Sequence, residues 1–414
     1  MDTRARDPFH NIGPWAYLAY CVAWYIWMVP GVLFFRQLGR VKGRETFPTD
    51  GPVLLLANHT AALDPVWLGF VAGRPCHYMA SAALFRIRWL APIITALGAF
   101  PKAKFTKDRD SMAKLNELYA RGQCIMIFPE GTRTWDGRNI PVLPGIGRLV
   151  KRLNARVVFA RMPTAFLTQP RWASYPRYVP LTVEFSPPVT FEGKSEEEIV
   201  AAVNEGVRID PELELHGERC FGVRLAWGLP KYLWACPHCL KEESIVVSTT
   251  HSDEISCQAC ASRWRIDVMA RLNPLTPGLR RETVASAHDR MTDRLGPRPR
   301  FRDDAPAPIL SAARARVLRM PRGGAPITVA EGELRLNEGS LSVLGEGGVL
   351  RWEQPLREIE LVSLEVKNTL YVRVAGELHQ LIPEGQSTVK WGWFLHQWWI
   401  LSRPEDAATL PQGL

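Results

Sequence analysis

Between about residues 45 and 190, short apolar runs alternate with longer stretches whose apolar positions recur every three or four residues. The runs Val53–Leu56, His77–Ala80, Cys124–Phe128, Arg156–Ala160 and Pro180–Phe185 predict strands. The stretches Pro65–Gly73, Ala82–Leu97, Asp110–Arg121 and Pro144–Asn154 predict the helices between them. This alternation predicts an α/β layer with a mostly parallel sheet, because parallel crossovers run through helices that cover both faces of the strands. Working groups in such a sheet lie just beyond the carboxyl ends of the strands.

Beyond this region the pattern changes. Residues 195–210, "SEEEIVAAVNEGVRID", begin with a serine cap and acids in the first turn, and predict a surface helix. Residues 271–320 turn to Arg, Pro and Ala and read as a linker with one helix. From Ile327 onward come "ITVA", "GELRLN", "SLSVL", "VLRWE", "IELVSLEV", "TLYVRVA" and "ELHQLI", seven short strands between Gly, Asn and Glu turns. The end, "TVKWGWFLHQWWILS", is helical with a heavy aromatic face. Strands closed by one helix predict a small all-β barrel or sandwich. Its Trp391, Trp393, Phe394, Trp398 and Trp399 are expected to close a core.

At the other end, Trp15 to Phe35 form 21 residues without a charge, long enough to cross a bilayer. Pro30 and Gly31 would interrupt a spanning helix, and the tryptophans and tyrosines of the first half suit headgroup depth, so spanning and in-plane anchoring both remain open, against the alternative of a buried hydrophobic helix of the core. Arg36, Arg40, Lys42 and Arg44 follow at once, and by the positive-inside tendency they place the rest of the chain on the cytoplasmic face. The expected plan is an anchor over 1–44, an α/β domain over 45–230, a cysteine-paired module over 231–270, the linker over 271–320 and the β-rich domain over 321–414.

At 414 residues the chain is too long for one ordinary core. Lys and Arg outnumber Asp and Glu by 51 to 42, a net charge of +9 that suits an anionic partner: a membrane surface, a phosphorylated ligand or a nucleic acid. Of the eight cysteines, Cys21, Cys76, Cys124 and Cys220 are scattered and read as buried free thiols. Nothing resembles a secreted disulfide framework, so a reducing compartment is favoured.

Two strand exits carry candidate chemistry. "GPVLLLANHTAALDPVW" places His59 just past the first strand and Asp64 five residues later. If Asp64 lies in the first turn of the next helix, its carboxylate can accept from one ring nitrogen and leave the other as a base. Alone, the spacing fits a satisfied core histidine as well. His288 and Asp293 share it, within the linker and with no strand before them. "CIMIFPEGTRT" places Glu130, Gly131 and Arg133 at another strand end. Gly131 lets the backbone bend, and Arg133 can hold a phosphate through its planar fork.

Taken together, "NHTAALDP" and "FPEGTRT" resemble the glycerolipid acyltransferase family, the lysophosphatidate acyltransferases and their relatives. "GAFPKAKF" looks like the family's block between them, with Lys104 where an arginine is usual, and "VVFARMP" loosely suggests the fourth block. The likeness covers roughly residues 45–190. It implies His59 as general base, oriented by Asp64, with Glu130 and Arg133 in the acceptor or phosphate site and Gly131 shaping the turn. Lys102 and Lys104 are then expected to bind the acceptor phosphate or the phosphates of coenzyme A, against the alternative of a solvated basic loop. The implied activity is O-acyl transfer from acyl-CoA or acyl carrier protein to a lysophospholipid. Lysophosphatidate is the first candidate acceptor, another polar lipid the next. A non-catalytic lipid-binding adaptor is the alternative from another class.

Cys236, Cys239, Cys257 and Cys260 form two C-x2-C pairs 17 residues apart, the spacing of a structural zinc ribbon. Four thiolates leave no open coordination position for catalysis. The intervening "EESIVVSTTHSDEIS" is not basic, so no nucleic-acid partner is expected. In strand count and terminal helix the last domain loosely resembles a pleckstrin-homology-like fold, which would serve lipid recognition or simple packing.

Overall fold

The computed structural model describes residues 18, 22, 38–82, 84–102, 108–209, 220–296, 308–321, 324–365 and 369–402. Apart from Leu18 and Val22, which are helical, the expected anchor at 15–35 lies outside them. No helix among the described residues is long and apolar enough to cross a membrane. Two compact units are present, residues 1–171 with 176–222, and residues 172–175 with 223–414.

The strands of the first unit are β1 (Leu38–Lys42), β2 (Val53–Ala57), β3 (Cys76–Ser81), β4 (Ala99–Lys102), β5 (Cys124–Ile127), β6 (Val157–Arg161), β7 (Arg177–Tyr178), β8 (Leu181–Phe185) and β9 (Phe221–Gly222). Its helices are α1 (Asp64–Ala72), α2 (Leu90–Ala96), α3 (Arg109–Ala120), α4 (Gly145–Leu153), α5 (Ala165–Thr168) and α6 (Glu196–Gly206). Seven strands form one sheet in the order β1-β8-β6-β2-β5-β3-β4. All neighbours are parallel except β6 and β8, so β8 and β1 run against the other five.

The central strand β2 is buried at every position. Val53, Leu55 and Ala57 join α1 on one face, through Trp67, Leu68 and Val71. Leu54 and Leu56 join α3, α4 and α6 on the other, through Leu115, Ile146, Leu149, Ile199 and Val203. Coverage on both faces explains why the sequence reads as a continuous apolar run rather than an alternating one. The chain leaves β2 for α1 on one face and leaves β5 for α4 on the opposite face. Since β2 and β5 are neighbours, a crevice opens between them at their carboxyl ends, where ligand sites of open α/β sheets lie.

Residues 38–42, expected in the anchor segment, are instead the edge strand β1 paired with β8. The helix expected over 82–97 is broken into a turn at 84–86 and the short α2.

In the second unit, β10 (Ile245–Val247), β11 (Glu254–Cys257), β12 (Arg263–Ile266), β13 (Arg271–Pro274) and β14 (Glu282–Thr283) form one antiparallel sheet in chain order, followed by α7 (Val284–Leu295). The stretch 271–320 is therefore not a bare linker: it supplies two strands and a helix to the cysteine-bearing module, and one further strand to the next sheet. That sheet contains β15 (Leu310–Arg319), β16 (Ile327–Leu336), β17 (Ser340–Leu344), β18 (Leu350–Pro355), β19 (Ile359–Glu365), β20 (Thr369–Val374) and β21 (Glu377–Pro383). Its order is β18-β17-β16-β15-β21-β20-β19, all antiparallel, so the first strand joins the last. The helix α8 (Thr388–Ser402) closes the unit with Trp391, Trp393, Phe394 and Trp399 buried and Trp398 half-buried. Trp393 and Phe394 each lie with ring centroids 5.8 Å from Trp234. Lys390, almost fully buried, reaches Glu243 at 2.8 Å.

Candidate active site

The chain leaves β2 through Asn58 and His59, turns at Ala61 to Leu63, and enters α1 at Asp64, with Pro65 in the first turn. Proline suits that position because the first helical amides need no partner within the helix. The turn folds the Asp64 carboxylate back under the strand end. Its Oδ2 accepts from the backbone N–H groups of Thr60 and Ala61 at 2.8 and 2.9 Å. The same oxygen lies 2.9 Å from His59 Nδ1. Asp64 is completely buried, whereas 20% of the His59 side chain is exposed. The imidazole is thus held by a buried carboxylate on one side while its other edge faces the crevice. Phe128 stacks on the ring at a centroid distance of 4.2 Å and fixes its plane.

The second strand exit is locked to the first. Gly131 turns the chain with φ +74°, and its N–H donates to Phe128 O at 3.0 Å. A Cβ there would meet the left-handed strain and stand 2.7 Å from Leu143 Cδ1. Thr134 N–H donates to His59 O at 3.1 Å. His59 N–H donates to Glu130 Oε1 at 3.2 Å. Asn139 Nδ2 donates to the same oxygen at 3.1 Å, and Ile140 N–H donates to Oε2 at 3.2 Å. Glu130, expected among the substrate-binding groups, is therefore turned inward as a brace between the two loops. Burial pushes its carboxyl up to about 8, against the pull of the three N–H donors.

Arg133 sits half-buried on the turn. Arg171 supports it from behind: the guanidinium donates to Arg133 O and to Thr132 Oγ1, and lies 4.4 Å from the centroid of Trp135. Lys102 ends β4, two strands beyond β5 on the same edge of the sheet, roughly 10 Å to one side. Lys104 lies outside the described residues. The fold thus brings His59, Asp64, Glu130, Gly131 and Arg133 into one pair of interlocked loops, with Lys102 on the rim.

Several contributors gave little sequence signal. Asn58 is completely buried, accepts from Met162 N–H at 2.7 Å and donates to Met162 O at 3.4 Å, pinning β2 to the exit of β6. It stands beside His59 in the quoted stretch and could have been singled out. Asn139 and Arg171 follow their partners by 9 and 38 residues in stretches without periodicity, so only the fold reveals them. The other pair with this spacing separates: His288 is buried on α7 against Tyr232, and Asp293 is exposed.

In the second unit the sulfurs of Cys236, Cys239, Cys257 and Cys260 all lie within 4.8 Å of one another. Cys236–Cys260 and Cys239–Cys257 are separated by 3.8 and 3.7 Å. A tetrahedron with zinc–sulfur bonds of about 2.3 Å has edges of about 3.8 Å. The two turns match: His238 N–H points at Cys236 Sγ and Ala259 N–H at Cys257 Sγ, both at 3.4 Å. Each turn then passes a left-handed residue, Leu240 with φ 64° and Ala261 with φ 58°.

Comparison with known proteins finds likeness in the first unit. The acyltransferase family model matches residues 39–162. A 1-acyl-sn-glycerol-3-phosphate acyltransferase of Bacillus subtilis is 28% identical over 115 residues, 28% of this chain and 57% of that protein. One from Borreliella burgdorferi is 28% identical over 99 residues, 23% of this chain and 40% of that protein. The chloroplastic enzyme LPAT1 of Arabidopsis thaliana is 27% identical over 116 residues, 27% of this chain and 32% of that protein. The chain therefore spans little more than half the length of these relatives at most. The crystal structure of the 1-acyl-sn-glycerophosphate acyltransferase of Thermotoga maritima aligns with a TM-score of 0.38 at 20% identity, covering 50% of this chain and 81% of that one, a likeness too low to carry weight.

Proposed function

We propose that the chain is an O-acyltransferase that moves a fatty acyl group from a thioester, on coenzyme A or acyl carrier protein, to the free hydroxyl of lysophosphatidate. The observation that carries this reading is the His59–Asp64 pair at 2.9 Å, set at the carboxyl end of a central strand and tied to the FPEGTR turn. With Nδ1 held by Asp64, Nε2 is the basic nitrogen. It takes the proton of the acceptor hydroxyl as that oxygen attacks the thioester carbonyl. The carbon–sulfur bond then breaks, and the leaving thiolate recovers the proton from the imidazolium. The products are an ester and a free thiol, and no protein nucleophile is needed. Arg133 binds the acceptor phosphate, with Lys102 and Lys104 contributing to it or to the phosphates of coenzyme A. The names of the matched relatives support this acceptor.

The remaining parts of the proposal lie outside the matched region. The four cysteines hold one structural zinc, a reading their sulfur separations support. The β15–β21 unit, with its closing helix, is a pleckstrin-homology-like module. Residues 15–35 attach the protein to a membrane with the catalytic unit on the cytoplasmic face.

The decisive experiment incubates the purified protein with acyl-CoA and a panel of lysolipids and identifies products by mass. Acyl transfer to lysophosphatidate that His59→Ala lowers by about 10²–10⁴ supports the reading. Absence of product with every acceptor returns the chain to a lipid-binding adaptor.

A further inference from the structure

Residues 84–97 include no buried side chain, although they read "LFRIRWLAPIITAL". Phe85 and Ile94 pack against the core on the α1 face of the sheet. That inward anchoring turns Leu84, Ile87 and Trp89 outward, at 39%, 39% and 70% exposure. Arg86 and Arg88 alternate with them, both exposed, and neither has an ion-pair partner among the described residues. Apolar side chains interleaved with cations make a poor solvent face and a good interfacial one. The segment leaves the sheet at the carboxyl end of β3, the parallel neighbour of β5. It therefore stands on the edge that carries His59 and Glu130.

We propose that residues 84–97 are a membrane-contact surface in their own right, docking on an anionic bilayer beside the catalytic crevice and separate from residues 15–35. This rests on the lipid-acceptor reading of the site. The two arginines complement acidic headgroups, Trp89 suits headgroup depth, and the acceptor taken by the neighbouring crevice resides in the bilayer. The surface would hold the crevice mouth against the plane from which the acceptor is drawn.

The test uses the full chain and two surface variants, Leu84→Ser/Ile87→Ser/Trp89→Ser and Arg86→Glu/Arg88→Glu. Hydrogen exchange is followed with and without phosphatidylcholine vesicles carrying phosphatidylglycerol. Peptides across 84–97 should become protected on the anionic vesicles. Turnover of vesicle-borne lysophosphatidate should fall by about tenfold in the apolar variant. Charge reversal should cost more than about fivefold per arginine, since each exchange removes one positive charge and adds a negative one, and wild-type turnover should lose its advantage as salt rises. Turnover of a soluble short-chain acceptor should stay unchanged in both. Unprotected 84–97 in fully vesicle-bound protein would overturn the proposal, as would equal losses on both acceptors. Protection in vesicle-free solution that grows with protein concentration would also overturn it and assign the face to a second copy of the chain. A wild-type protein inactive on both acceptors would sink the acyl-transfer reading, while the exchange data would still decide whether this surface meets lipid.

Discussion

Asp64→Asn separates the charge of the dyad from its geometry. Asp64 Oδ2 accepts from His59 Nδ1 at 2.9 Å and from two backbone N–H groups at 2.8 and 2.9 Å. An asparagine carbonyl oxygen can take the same three donors, so the loop should keep its shape. Alanine could not serve, because it would leave two buried N–H groups without an acceptor, at about 1–3 kcal/mol each. What the amide lacks is the negative charge that favours the imidazolium formed during proton transfer. Opposite charges about 4 Å apart, at an effective dielectric constant of about 20, attract by about 4 kcal/mol. Only part of the proton charge has developed at the transition state. The loss should therefore be about 2–3 kcal/mol, or roughly 10²-fold in kcat. The assay follows free thiol released from acyl-CoA at saturating lysophosphatidate, with acceptor KM measured alongside and the melting temperature as a check on folding. The acceptor KM should change little. A folded Asp64→Asn protein with kcat within about threefold of wild type would refute the assignment of Asp64 as the partner of a catalytic base.

Glu130 should make stability depend on pH in an unusual direction. Its folded value of about 8 lies above the ordinary 4.5, so its contribution is complete below about pH 4.5 and is lost as pH rises through about 8. Melting temperatures across that range should show the decline, and Glu130→Gln, a neutral mimic of the protonated form, should flatten it; an unchanged slope in the variant would assign the effect elsewhere. Arg133→Ala should raise the acceptor KM more than it lowers kcat, which steady-state kinetics on lysophosphatidate will show; unchanged kinetics would point to a different head group. Cys236→Ser should lose the metal and lower the stability of the second unit, read by metal analysis and thermal melts, since ligation of a small ribbon is part of its folding energy; zinc-free wild-type protein would overturn the assignment.

The first unit was legible wherever burial on both faces made strands plain, and the candidate dyad was legible because His59 and Asp64 are close in sequence. Contacts between distant loops were not. Glu130 looks like a surface acid at a strand end, and only the packing of Asn139 and Ile140 shows that its carboxylate faces inward. The strand β15 hid in Arg- and Ala-rich composition. Its alternation exists, with Ala312, Ala315 and Val317 buried, but an irregularity between Ala312 and Ala315 shifts the phase. The opposite holds at Glu331 and Gly332, where the sequence suggests a break between "ITVA" and "GELRLN". The strand β16 runs through Gly332 with φ 150°, and a Cβ there would stand 2.0 Å from Leu344 O. The glycine marks close backbone approach rather than a chain reversal. Leu38–Lys42 read as a basic flank because five residues with two cations carry no strand signal of their own; β8 recruits them.

The direction of β1 sets the polarity of the whole first unit with respect to whatever precedes it. Because β1 runs against β2, Leu38 enters at the edge from which His59 departs, three strand spacings or about 14 Å away. Only Arg36 and Gln37 separate Phe35 from Leu38, and the three extended steps between them reach at most about 10 Å. Were residues 15–35 held in a bilayer, that short leash would leave the unit little freedom to tumble, and it would be tethered crevice-first. A reversed edge strand would have put the same leash at the far end of the sheet, with the crevice turned to the water.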